Sequence, residues 1–239
     1  MSGFLSEIIG QMDRSTAGSE DTARKVLQMC GRKKPQNALF FGDDIITPQL
    51  IAKETGAQVL ATFGEEQRVG SAVKAGLNAR QVGAFEIAAT NGGWDMVWYN
   101  GLTEPDGIAR RLEQLHDSLA AGGVGVYRTL CWLIDPSLDT KGFVEHRFGR
   151  PVHLDEVLRL AKAQGFAIED FYISPRSDWK QSFYEPLSEL VQTYENALAR
   201  AHENSGDAAA GIGEINREMY MFDLHSEEYS FVYYILRKK

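Results

Sequence analysis

Three places in this sequence hold residues whose types and positions suit chemistry. The first is NALFFGDDIITPQLIA (37–52), where an apolar run ends in Phe41-Gly42-Asp43-Asp44 and a helical pattern opens at Pro48. A strand feeding a helix at the start of an α/β domain is where a nucleotide-type cofactor docks. The turn between them usually carries two or three glycines, so that backbone N–H groups approach the ligand closely. This turn has one, Gly42, followed by two acids and two β-branched residues, Ile45 and Ile46. The second place is Tyr99-Asn100-Gly101, at the C-terminal end of the apolar run WDMVWY, where open α/β sheets place ligands. The third is aromatic: Trp132, Trp179 and Tyr184 suit a wall around a substrate or a sulfonium, and equally suit core packing. Asp43 and Asp44 suggest a cation site, but adjacent acids point different ways, and a solvated pair at a helix start accounts for them better.

Composition narrows the partners. The 239 residues carry a formal charge of −8, which argues against nucleic acid, since phosphate binding needs clustered Lys and Arg. The basic run Arg32-Lys33-Lys34 reads as a turn. Hydrophobic residues make up 44%, as in ordinary soluble proteins, and a chain of this length buries a core without staples. Cys30 and Cys131 lie in apolar patterns and read as reduced core residues. No apolar run reaches the length of a membrane span and no leader is visible, so the expectation is a cytoplasmic protein, free or as a homo-oligomer. The five histidines share no ligand spacing, and no metal is assigned.

The elements that must position these groups follow from periodicity. Residues 1–14 form a short amphipathic helix, and Ser19 caps a second one that ends at Gly31. Strands are predicted at 37–41, 59–63, 82–86, 94–99, 124–133, 166–173 and 229–236. Helices lie between them, notably from Pro105 and over 154–164, so the pattern is a parallel sheet flanked by helices. Residues 184–223 read as helical, broken by a small-residue loop at 205–213.

Five strings, in order, carry a resemblance: GSEDTARK (18–25), WDMVWYNG (94–101), GGVGVYRTLCWL (122–133), PRSDWKQSFYEP (175–186) and the terminal strand 229–235. Together they resemble the class I S-adenosylmethionine (SAM)-dependent methyltransferases, in particular a bacterial small-molecule subgroup, over nearly the whole chain. The resemblance implies a Rossmann-like α/β sandwich of seven strands, the last antiparallel beside the fifth, with a helical cap. Its units would be cap helices over 1–30, a core of 31–180 and 226–239, and a helical cap insertion at 181–225. It also implies SAM as cofactor and a methyl acceptor that is a small molecule.

The departures fall on the cofactor. The family's Gly-x-Gly-x-Gly turn corresponds to Phe41, Gly42, Asp43 and Asp44. The acid that holds the ribose corresponds to Phe63, with Glu65 and Glu66 as replacements, and Glu86 would meet the adenine. Tyr99, Asn100 and Thr129 would be the polar groups nearest the reacting centre, and Ser19, Arg24, Trp132, Trp179 and Tyr184 the substrate lining. The alternative is a divergent member that has lost SAM and methylation and binds another ligand or a protein. A nicotinamide oxidoreductase needs the same missing glycines and acid.

Overall fold

The computed structural model describes residues 8–12, 14–31, 34–81, 92–101, 105–201 and 206–239. Its strands are β1 (Asn37–Gly42), β2 (Gln58–Phe63), β3 (Asn78–Gln81), β4 (Trp94–Asn100), β5 (Leu119–Trp132), β6 (Val152–His153), β7 (Phe166–Ile173) and β8 (Tyr229–Lys238). Its helices are α1 (Glu20–Met29), α2 (Ile46–Thr55), α3 (Glu66–Lys74), α4 (Pro105–Ser118), α5 (Leu138–Phe148), α6 (Leu154–Ala163), α7 (Arg176–Trp179), α8 (Glu185–Ala201) and α9 (Gly206–His225). A π-helical turn, Lys180–Tyr184, joins α7 to α8.

The sheet runs β3-β2-β1-β4-β5-β8-β7, with the two-residue β6 paired to β5. β1 to β5 are parallel, and β8 lies antiparallel between β5 and β7. The inserted antiparallel last strand is the arrangement that the resemblance implies. Parallel strands covered on both faces need mostly apolar side chains, which is why β1 and β5 read as apolar runs, β5 interrupted at Arg128 and Thr129.

Alternation divides these side chains between two cores. On one face Phe40, Trp98 and Val126 pack against Val26 of α1 and Ile51 of α2. On the other, Leu39, Val97 and Tyr127 pack against Leu112 of α4 and Val157 of α6. A third core lies where Ile8 and Ile9 meet Trp179, Leu187, Ile215 and Phe222, together with Leu130 of β5 and Phe231 of β8.

Several expectations change. The predicted strand at 82–86 and the first seven residues lie outside the described residues, and β3 lies just before the former. Residues 206–213 are not a loop but the first turns of α9, on which Ala208 and Ile212 are buried. β5 starts before the Gly122-Gly123 pair rather than after it. A register shift opposite Trp94 and Met96 takes up the excursion, and a Cβ on Gly123 would lie 2.9 Å from two carbonyl oxygens. The helix that the pattern does not announce is α5, which buries only Thr140 and Val144.

β8 holds the sheet together, because it bonds to both β5 and β7. Ile235 is fully buried on it. Ile235→Ala is expected to lower stability by about 2–5 kcal/mol, read as a lower urea midpoint with unchanged far-UV circular dichroism.

Candidate functional site

Where β1, β4 and β5 end side by side, register sets what they present. Gly42 is level with Asn100, Asn100 with Arg128, and Arg128 with Tyr233. One residue earlier, Phe41, Tyr99, Tyr127 and Tyr234 form the neighbouring row, pointing to the opposite face. Tyr99 therefore turns away from Asn100: its ring stacks on Tyr127 at 5.3 Å, under the Arg111 guanidinium. Thr129, two residues beyond Tyr127, shares that side and is buried. The structure does not bring Tyr99, Asn100 and Thr129 together. Gly101 is needed there because a Cβ would sit 2.9 Å from the Tyr99 hydroxyl.

Asn100 meets the acidic turn instead. Asp44 is 1% exposed, so the pair is not solvated as expected. Its Oδ1 accepts from the Thr47 backbone N–H at 2.7 Å, capping the first turn of α2, and its Oδ2 accepts from Asn100 Nδ2 at 2.8 Å. Arg14 Nη1 lies 3.6 Å from Oδ1 and supplies the counter-charge. Asp43 accepts from the Ser15 hydroxyl. Burial pushes its carboxyl above the ordinary carboxylate range, the Ser15 bond opposes this, and the Asp44 charge adds to it.

Further arginines tie the chain before α1 across these strand ends. Arg128, 1% exposed, donates to Thr16 Oγ1 at 3.1 Å and to the Ala17 carbonyl, with its guanidinium 3.5 Å from the Phe231 ring centre. Arg68 donates to the carbonyls of Met12 and Ile9. The result is a strap, residues 8–12 and 14–18, over the C-terminal edge of the sheet. Four buried atoms of this network have no protein partner among the described residues: Arg14 Nη2, Arg128 Nε, Asp43 Oδ1 and Asn100 Oδ1. Beside it, a cavity of about 550 Å³ opens between the strap and α8, lined by Arg14, Gly18, Ser19, Ile46, Ser182 and Glu189 among others.

Arg14, Arg68 and Arg128 were not expected from the sequence. Arg128 had a visible signal, a lone charge inside the apolar run VGVYRTLCW. The other two had none, because what they meet lies far along the chain.

The remaining expected residues fall as follows. Gly42 serves packing: a Cβ there would lie 2.6 Å from the Phe40 ring and 3.0 Å from Asn100 Cβ. Phe41 is buried in the core on the Tyr99 side. Phe63 is buried in the opposite core near Phe40, while Glu65 and Glu66 are exposed where β2 passes into α3. Glu86 lies outside the described residues. Ser19 caps α1 through the Thr22 N–H and lines the cavity.

Arg24 stands away from the cavity lining, paired with Glu20, Asp21 and Glu54, and the Glu20 hydrogen bond raises its pKa further. Trp132, Trp179 and Tyr184 are packed in the third core. Trp179 is stacked by Phe222 and Phe231, and Tyr184 donates to the buried Glu218, which Arg147 also holds. Burial pushes both cysteine thiols up to about 12. Among the described residues no group of His, Cys, Asp and Glu forms a metal site, and no helix is long and apolar enough to cross a membrane.

No protein-family model matches the sequence, and no curated protein does. Solved structures do match. A SAM-dependent methyltransferase from Geobacter sulfurreducens, in complex with S-adenosyl-L-homocysteine, superimposes with a TM-score of 0.78 at 11% identity, covering 100% of this chain and 99% of that one. One from Thiobacillus denitrificans, with the same ligand, gives 0.78 at 12% over 100% and 99%. The fold is that of the class I SAM-dependent methyltransferases. The [4+2]-cyclase SpnF matches too, with a TM-score of 0.66 at 13% identity over 98% and 91%. A methyltransferase fold therefore does not decide the reaction, which has to be argued from the site.

Gly42→Ala tests the packing role of the turn. It is expected to cost about 1–3 kcal/mol by overpacking against Phe40, and Phe40→Leu in the same chain should recover part of the loss in thermal denaturation.

Proposed function

We propose that this protein is a SAM-dependent methyltransferase acting on a small molecule, with the strap and residues 181–225 as its cap over a core of residues 31–180 and 226–239. The observation that carries this reading is the set of unpaired atoms at the ends of β1, β4 and β5. Two are guanidinium donors, Arg14 Nη2 and Arg128 Nε, and two are acceptors, Asp43 Oδ1 and Asn100 Oδ1. Buried polar atoms left without partners cost free energy, and an α-amino-acid end group, carboxylate plus ammonium, supplies the complement of all four.

The residues present thus fit the methionine end of SAM by charge, although a backbone cradle of glycines is absent. Phe63 cannot serve the ribose. Glu65 and Glu66, exposed at the next turn, carry the carboxylate that such hydroxyls need. When bound, SAM supplies a methyl group on a sulfonium. Arg14 and Arg128 would hold the carboxylate, and Asp43 and Asn100 the ammonium. Tyr99 and Thr129, on the opposite face of the sheet, are given no contact with it. The strap and cap exclude water, so the chain's contribution is positioning and desolvation rather than acid–base work.

Calorimetric titration with S-adenosylhomocysteine tests the reading. Micromolar dissociation constants are expected, and no heat up to about a millimolar would overturn it in favour of a non-methylating role. At 100 times the dissociation constant the ligand should add about 2.7 kcal/mol of stability, seen as a raised melting temperature. Replacing Glu65 and Glu66 together by Ala, at exposed positions, is expected to weaken binding about tenfold or more without altering the unliganded melting temperature.

A further inference from the structure

Arg14 Nη2, Arg128 Nε, Asp43 Oδ1 and Asn100 Oδ1 are all buried with the strap in place. A ligand cannot reach them unless the strap lifts. It meets them in the geometry seen here only if the strap then returns to the same seat. Whatever holds that seat is part of the site.

The ties of the strap fall into two groups. Arg14 with Asp44, Ser15 with Asp43, and Arg128 with Thr16 and Ala17 all run through residues that the ligand would engage. These bonds are open to exchange as it enters. Two other ties are not. Gln11 Nε2 donates to the Tyr194 hydroxyl of α8 at 2.7 Å, a bond between neutral groups in an exposed position. Arg68 makes the second, from the first turn of α3.

The half-buried Arg68 guanidinium donates to the Met12 carbonyl and, at 3.4 Å, to that of Ile9. Both carbonyls belong to the end of a helical turn, where the Gln11 N–H donates to the Ile8 carbonyl and the Met12 N–H to that of Ile9, each at 3.0 Å. The last carbonyls of a helix lack partners within it, and a basic side chain can supply them. A charged donor also makes a stronger bond than a neutral one. Because the acceptors are main-chain atoms, Arg68 fixes the path of the strap rather than one side chain on it. Arg14 and Ser15 follow Met12 by two and three residues, and Arg68 follows Glu66 by two.

We infer that Arg68 is the latch of the strap, a positioning residue that seats Arg14 and Ser15 over the strand ends and joins that seat to the turn carrying Glu65 and Glu66. Its bearing on the ligand rests on the methyltransferase reading. The latch itself does not.

Trypsin reads the seat directly, because Arg14 is the only Lys or Arg before Arg24 and is 6% exposed. In the whole chain without ligand, Arg68→Met keeps the length of the side chain and removes its donors. It is expected to speed initial cleavage after Arg14 about tenfold or more, followed by mass spectrometry, with cleavage after the buried Arg128 unchanged. Arg68→Lys, which keeps the charge and can reach one carbonyl, should recover part of the protection. In calorimetric titration S-adenosylhomocysteine should bind Arg68→Met about tenfold more weakly than the unaltered chain, with Arg68→Lys between them.

Unchanged cleavage after Arg14 in Arg68→Met overturns the inference. So does a rise matched after Arg128, which would mean that the whole fold has loosened, or equal cleavage of the Met and Lys variants, which would leave the charge no role. Faster cleavage with unchanged affinity for S-adenosylhomocysteine overturns the part of Arg68 at the ligand site. If the unaltered chain does not bind that ligand, the methyltransferase reading falls, and the trypsin rates still decide the latch.

Discussion

The site depends on one buried carboxylate. Asp44 accepts from the start of α2 through Thr47, from the end of β4 through Asn100, and has the strap's Arg14 beside it. Three elements distant in sequence converge on a group that would be costly to bury alone. Breaking such a pair by removing one partner typically costs about 3–5 kcal/mol, because the other charge is left buried. The turn between β1 and α2, the first place where a ligand is expected in this fold, is thereby made rigid by side chains instead of being opened by glycines.

This changes what the missing glycines mean. In a glycine-rich turn the backbone itself approaches the ligand. Here Phe40 fills the space above Gly42, Asp43 is bonded to Ser15, and the strap closes the top. What remains for a ligand is not bare backbone but four side-chain atoms without a hydrogen-bond partner among the described residues. Two buried arginines, the buried Asp44 and the half-buried Asp43 in one network would be a poor device for stability alone. They make sense as a site that a zwitterion completes.

Much of the architecture was legible from the residues alone. Apolar runs with glycine or capping signals mark the strands from 37 to 63 and from 94 to 133, and the Ser19 cap lies where the sequence places it. α5 is not legible, because it presents little apolar surface, and the first turns of α9 read as a loop because glycines and other small residues punctuate them. Of the site, only one side was visible. The sequence points to Asn100 and the acids, but not to the burial of Asp44, because its counter-charge lies in the strap and its amide partner on β4. Tyr99 and Thr129 were grouped with Asn100 by proximity in strand order, whereas alternation along the strand puts them on the other face. The parity of the positions already contained that answer.

The most direct measurement is a crystal structure of the complex with S-adenosylhomocysteine. The account predicts the ligand's carboxylate on Arg14 Nη2 and Arg128 Nε, and its ammonium on Asp43 Oδ1 and Asn100 Oδ1, with the strap ordered across them. An amino-acid end bound elsewhere, with those four atoms still unpaired or met only by water, would contradict it.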